Sequence, residues 1–158
     1  MAVIEVKAGR QIEAPAAVVY GALADMQQHQ RFLPPAFSDF VVEEGGVGAG
    51  TVTRFKLSAG GRARDYRMRV EEPEPGRVLT ESDTNSSLVT TFTVDPRGDG
   101  ARVEIATRWQ GAGGIGGFFE RLFAPRVMQR IYAEELERLN DYVRSRSEAT
   151  PSSGGPPA

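Results

Sequence analysis

The sequence predicts an α+β fold in which a curved antiparallel sheet wraps around a long C-terminal helix. Three observations carry this. Residues 37–110 break into short segments whose apolar residues alternate with a period of two. Glycine- and proline-rich turns separate them, too short to hold the crossover helices of a parallel sheet. A helix with an unusually wide apolar face then closes the pattern, from Gly111 to Val143.

Taken in order, residues 3–12 place Ile4, Val6, Ala8 and Ile12 on one side of a first strand. Pro15 suits the first turn of a helix, where its missing N–H would have been unpaired, and Val18, Val19, Ala22 and Leu23 are expected to face inward. A second short helical piece runs from Met26 to Leu33 and stops at Pro34-Pro35. Strands follow at 37–43, 51–58, 62–71, 77–83, 87–95 and 101–110, punctuated by turns such as Gly60-Gly61 and Asn85-Ser86. Parity groups Phe55 with Leu57, Tyr66 with Met68, Val70, Arg62 and Arg64, Thr90 with Phe92, and Ile105 with Thr107 and Trp109. Arg67, Arg69, Arg102, Glu104 and Arg108 fall on the other face, as expected when that face meets water. In the last helix Pro125 is expected to kink or interrupt the axis, and the glycines of 111–117 to give it a flexible entrance.

At 158 residues the chain fits one domain, taken as 1–144, followed by a Ser/Gly/Pro-rich tail at 145–158 with nothing to bury and no expected order. A net charge of −2 argues against a dedicated nucleic-acid binder. The absence of cysteine removes disulfides, thiolate nucleophiles and Cys-ligated metals. With a single histidine there is no metal constellation and no Ser-His-Asp assembly, and no cofactor is expected. The start of the chain lacks the basic and apolar blocks of a signal peptide, and no apolar run approaches the roughly 20 residues that span a bilayer. A cytoplasmic protein without membrane insertion, monomeric or homodimeric, is the expectation.

The order of elements, with Ile12-Glu-Ala-Pro15-Ala-Ala-Val18-Val-Tyr20, Glu72-Pro-Glu-Pro75-Gly76-Arg77-Val-Leu79 and the closing Phe118-Phe-Glu-Arg-Leu-Phe-Ala-Pro, resembles the helix-grip fold of the START-like (SRPBCC) superfamily. Within it the chain is most similar to the bacterial polyketide cyclase/dehydrase-like group, over residues 3–143. The resemblance implies a deep cavity between sheet and helix that takes lipids, polyketides or other apolar molecules. It implies no fixed catalytic set, because carriers, sensors and cyclases share the scaffold.

The expected lining is Phe55, Leu57, Tyr66 and Met68 from two strands, Phe92, Ile105 and Trp109 from the last two, and Phe119, Phe123, Met128 and Ile131 from the helix. Each is also an ordinary core residue; together they are more wide apolar groups than a solid core calls for, and the two methionines suit variable guests. Glu135 falls in the middle of the helix's apolar face. It either pairs with a cation, Arg62 or Arg64 being the candidates, and serves as an acid/base or ligand-orienting group, or it lies past the sheet edge in solvent. Arg64 either points inward, to hold a ligand oxygen, or is solvated. His29 is read as a surface residue near the cavity mouth. The leading expectation is a protein that binds a small hydrophobic molecule, lipid-like or polycyclic and aromatic. The alternative is a polyketide cyclase/dehydrase in which Arg64, Tyr66 and Glu135 polarise carbonyls and move protons.

Overall fold

The computed structural model describes residues 3–59, 61–111 and 114–149; within the last segment, side chains are described from Pro125 to Arg146. Strand β1 (Val3–Ile12) leads into helix α1 (Ala16–Ala24) and the short helix α2 (Met26–His29), which runs on as a 3-10 turn over Gln30–Phe32. Six strands follow: β2 (Phe37–Glu44), β3 (Val52–Ala59), β4 (Arg62–Glu74), β5 (Val78–Asp83), β6 (Val89–Arg97) and β7 (Gly100–Gln110). Helix α3 (Gly114–Ala149) ends the described chain. The strands form one antiparallel sheet in the order β1-β7-β6-β5-β4-β3-β2, a meander from β2 to β7 with β1 added beside β7. This is the α+β helix-grip arrangement predicted from the pattern.

The period-two rule places the inner face as expected. Phe55, Leu57, Met68, Val70, Leu79, Phe92, Val94, Val103 and Ile105 are buried, while Arg69, Arg102, Glu104 and Arg108 on the opposite parity are exposed. Against this face α3 lays a stripe of Met128, Tyr132, Leu136, Leu139 and Val143, spaced at three and four residues so that they stack on one side of the helix. Leu136 and Leu139 are buried completely or nearly so, which ties the second half of α3 to the core.

Four expectations shift. Val18 is exposed rather than inward, and Tyr20 is buried instead: α1 turns its Val19, Tyr20 and Leu23 side to the sheet. Pro125 does not interrupt α3, whose following turns are held by packing strong enough to absorb one missing backbone hydrogen bond. Gly114, Gly116 and Gly117 are helical, while Ala112 and Gly113 of the expected hinge lie outside the described residues. At its other end α3 continues five residues past Arg144, where Arg146 hydrogen-bonds Gln28 of α2; residues 150–158 of the expected tail lie outside the described residues.

Polar anchors fix the helices to the sheet. The Tyr20 hydroxyl donates to Glu72 Oε2 at 2.7 Å, and Glu72 Oε1 accepts from the Ala49 N–H at 2.8 Å, joining α1, β4 and the β2–β3 turn. Gly48 makes this possible: its φ is +68°, and a Cβ there would collide with Glu72 Oε1. Asn140 of α3 accepts from the Glu13 N–H at 2.8 Å.

Candidate functional site: a buried polar row beneath the C-terminal helix

Asp25 starts the site. Its side chain accepts from the Gln27 N–H at 3.0 Å and caps α2, so that four residues on the His29 ring turns under the helix pair. His29 is buried, stacked on Phe32 at 4.9 Å and edge-on to Phe92 at 5.5 Å. Its Nδ1 lies 2.9 Å from the Leu23 carbonyl, which can only accept, so Nδ1 carries a proton. Its Nε2 lies 3.3 Å from Glu135 Oε2, and Glu81 Oε1 stands 4.0 Å from Nδ1.

Burial on its own pulls an imidazole pKa down. Here the hydrogen bond to Glu135, the charges of Glu81 and Glu135 and the Leu23 carbonyl outweigh that and push His29 from 6.5 up to about 9. At neutral pH the ring is therefore an imidazolium donating to both Leu23 and Glu135. Burial raises the Glu81 carboxyl above its ordinary value; the His29 charge pulls it back, and the Glu135 charge pushes it further up.

The cluster continues along one transverse row of the sheet. Glu81 of β5 pairs in register with Thr90 of β6, and Thr90 with Thr107 of β7. The Thr90 and Thr107 hydroxyls are 2.7 Å apart, and Thr107 hydrogen-bonds the Tyr132 hydroxyl, one turn before Glu135 on α3. Burial raises the Tyr132 phenol, so it stays protonated. Six side chains from α2, α3 and the adjacent strands β5, β6 and β7 thus form one polar row, five of them buried and Glu81 largely so, in a mostly apolar interface. Such an array can donate a proton, accept one, or hold a ligand oxygen.

Among the sequence-predicted residues, Glu135 sits inside, but its cation is His29. Arg64 pairs in register with Leu57 toward the end of the β3–β4 hairpin, its guanidinium 3.9 Å from Asp83 and 5.0 Å over the Tyr66 ring, with its side chain 57% exposed. Arg62, at the very start of β4, is exposed. Arg64 therefore pairs with Asp83, and not with Glu135. His29, read as a surface residue, is buried because the Asp25 cap and the Phe32 stack turn it inward. Phe55, Leu57, Met68, Phe92, Ile105 and Met128 are buried on the concave side; Tyr66, Trp109 and Ile131 are half-buried and packed against the same core. The side chains of Phe119 and Phe123 lie outside the described residues. Sequence reasoning missed Glu81. Its signal was present, since Glu81 shares parity with the fully buried Leu79.

Among the described residues no cluster of His, Asp and Glu suits a metal ion, and no helix is long and apolar enough to cross a membrane.

A family model described as polyketide cyclase / dehydrase and lipid transport matches residues 3–144. No curated protein matches the chain at a significant level. Among solved structures, the solution structure of KanY protein is 40% identical, with 91% of this chain and 99% of that one covered and a TM-score of 0.81. A protein from Thermus thermophilus is 24% identical over 91% of this chain and 99% of its own, with a TM-score of 0.77. The Zhui aromatase/cyclase from Streptomyces sp. R1128 is 17% identical over 98% and 99%, with a TM-score of 0.74, a likeness of fold.

Proposed function

The chain belongs to the polyketide cyclase / dehydrase and lipid transport family, and from that premise we propose that it binds a small hydrophobic molecule, lipid-like or polycyclic and aromatic, between the sheet and α3. The observation that carries this is the polar row of buried His29, Thr90, Thr107, Tyr132 and Glu135 with the largely buried Glu81 beside them. Burying polar groups costs free energy that hydrocarbon packing would avoid, and a few placed polar groups in an apolar setting are what ligand pockets have. Phe55, Met68, Phe92 and Ile105 offer the apolar floor, Met128 and Ile131 the roof, and half-buried Tyr66 and Trp109 the margins. Native mass spectrometry of protein purified from its own host, with solvent extraction of any adduct, tests the reading. A stoichiometric apolar adduct is expected; a clean apo mass, with no apolar compound binding on titration, contradicts it.

The second reading is a cyclase or dehydrase, favoured by the proximity of two carboxyls to one imidazole. In an aldol cyclisation the Glu81 carboxylate would take a proton from the carbon beside a carbonyl. The enolate carbon would bond to a second carbonyl carbon, whose oxygen would take that proton back; loss of water would complete a dehydration. Glu81→Gln separates the readings: a carrier keeps its ligand, whereas an enzyme keeps binding and loses turnover of a poly-β-ketone substrate.

A further inference from the structure

We infer that Glu81 is the ligand-facing member of the buried row and that it selects neutral, oxygen-bearing apolar molecules, ketones above all, over apolar carboxylates such as fatty acids. This rests on the binding reading above.

Glu81 lies on β5, the fourth of seven strands in sheet order, and points to the concave side between Val70 of β4 and Thr90 of β6. Its neighbours are closed off: the His29 and Glu135 side chains are 4% and 3% exposed, while that of Glu81 keeps 12%. Of these three side chains Glu81 keeps the most surface for a ligand to reach. The carboxyl is also uncommitted. His29 spends its Nδ1 proton on Leu23 at 2.9 Å and stands 4.0 Å from Glu81, beyond hydrogen-bond length, and Glu81 makes no side-chain hydrogen bond among the described residues. A largely buried carboxyl without a hydrogen-bond partner is costly unless a ligand or water completes it.

Charge then decides the class of ligand. The titratable groups facing Glu81 are His29 from α2 and Glu135 and Tyr132 from α3, with uncharged Val70 and Thr90 beside it on the flanking strands. Two carboxyls already share one imidazolium, and Glu135 holds the Nε2 side of that ring. A ligand carboxylate would enter as a third acid, with Arg64 drawn off to Asp83 at the exposed end of β4. A carbonyl oxygen carries no such charge and accepts a hydrogen bond from Glu81 in its protonated form, which burial favours.

The test is isothermal titration calorimetry at pH 7 with three probes on one frame: 2-acetylnaphthalene, 2-naphthoate and naphthalene. In the wild-type protein the ketone is expected to bind at least about tenfold more tightly than the carboxylate, a difference of roughly 1.4 kcal/mol. In Glu81→Leu, which removes the hydrogen-bond donor, the advantage of the ketone over naphthalene is expected to be lost, the ratio of the two affinities collapsing toward about one. Naphthoate binding as tightly as the ketone, or a ketone-to-naphthalene ratio unchanged in Glu81→Leu, overturns the assignment. The wild-type comparison decides even if the variant does not fold. Failure of all three probes to bind at about 1 mM, the weak end of measurable affinity, would instead overturn the binding reading itself.

Discussion

His29 Nε2 lies 3.3 Å from Glu135 Oε2, a contact that spans 106 residues of sequence and fastens α2 to α3 beneath the protein surface. Both partners are almost fully buried, so neither can fall back on water when the other is removed. Glu135→Leu is therefore expected to cost about 3–5 kcal/mol, because it strands an imidazolium. Combined with His29→Leu the loss should fall short of the sum by at least about 0.5 kcal/mol, the signature of direct coupling. Urea unfolding of the two single variants and the double variant measures it; strict additivity contradicts the pair.

The same pair makes the fold sensitive to alkali. His29 titrates at about 9 in the folded chain against 6.5 as its ordinary value, so the stability it contributes is complete below pH 6.5 and is lost as the pH rises through 9. Glu81, also raised on folding, pulls the same way from pH 4.5 upward. The melting temperature should decline between pH 6.5 and 9, and His29→Gln should flatten that decline. Because His29 is the chain's one histidine, its ring resonances are unambiguous in an NMR titration.

The Thr90–Thr107–Tyr132 chain ranks two substitutions. Tyr132→Phe removes one end and leaves the threonine pair bonded, an expected loss of about 1–3 kcal/mol. Thr107→Val strips the central hydroxyl and leaves Thr90 and Tyr132 both without it, so it should cost more although each variant deletes a single hydroxyl. Chemical denaturation of the two variants gives the order directly.

On α3, Leu139 is fully buried; Leu139→Ala should cost about 2–5 kcal/mol, the range for a truncated core leucine. Val18 of α1 is 45% exposed, and Val18→Ala should stay within about 0.5 kcal/mol of wild type in the same assay. A large loss at Val18 would mean that α1 is rotated from the orientation described.

Strand parity and helical spacing made much of this legible. Phe92, Ile105 and Thr107 could be assigned a face because strand side chains alternate rigidly, and Glu135 could be placed on the apolar side of α3 by counting turns. Parity fixes a face but not a position along it, so Arg64 was a natural partner for Glu135 on paper, while the β3–β4 register carries it to the end of the sheet. Helix α2 has only four residues, too few for a period to say which way His29 points; a capping bond from Asp25 and a ring stack on Phe32 decide that. Glu81 was hidden by chemistry rather than geometry. Leu79, Glu81 and Asp83 share a face, but two acids in a short strand read as solvated until the cation that faces one of them is known.

The central claim is that an apolar molecule seats over the buried polar row, and an NMR titration of 2-acetylnaphthalene into the protein tests it most directly. Saturable shifts of one-to-one stoichiometry are predicted at the His29 ring and at the methyl groups of Met68, Ile105 and Met128, which bound the row and its floor. Shifts that never saturate, or that gather at the surface cleft lined by Asp25, Arg31, Tyr142 and Arg146, would contradict it.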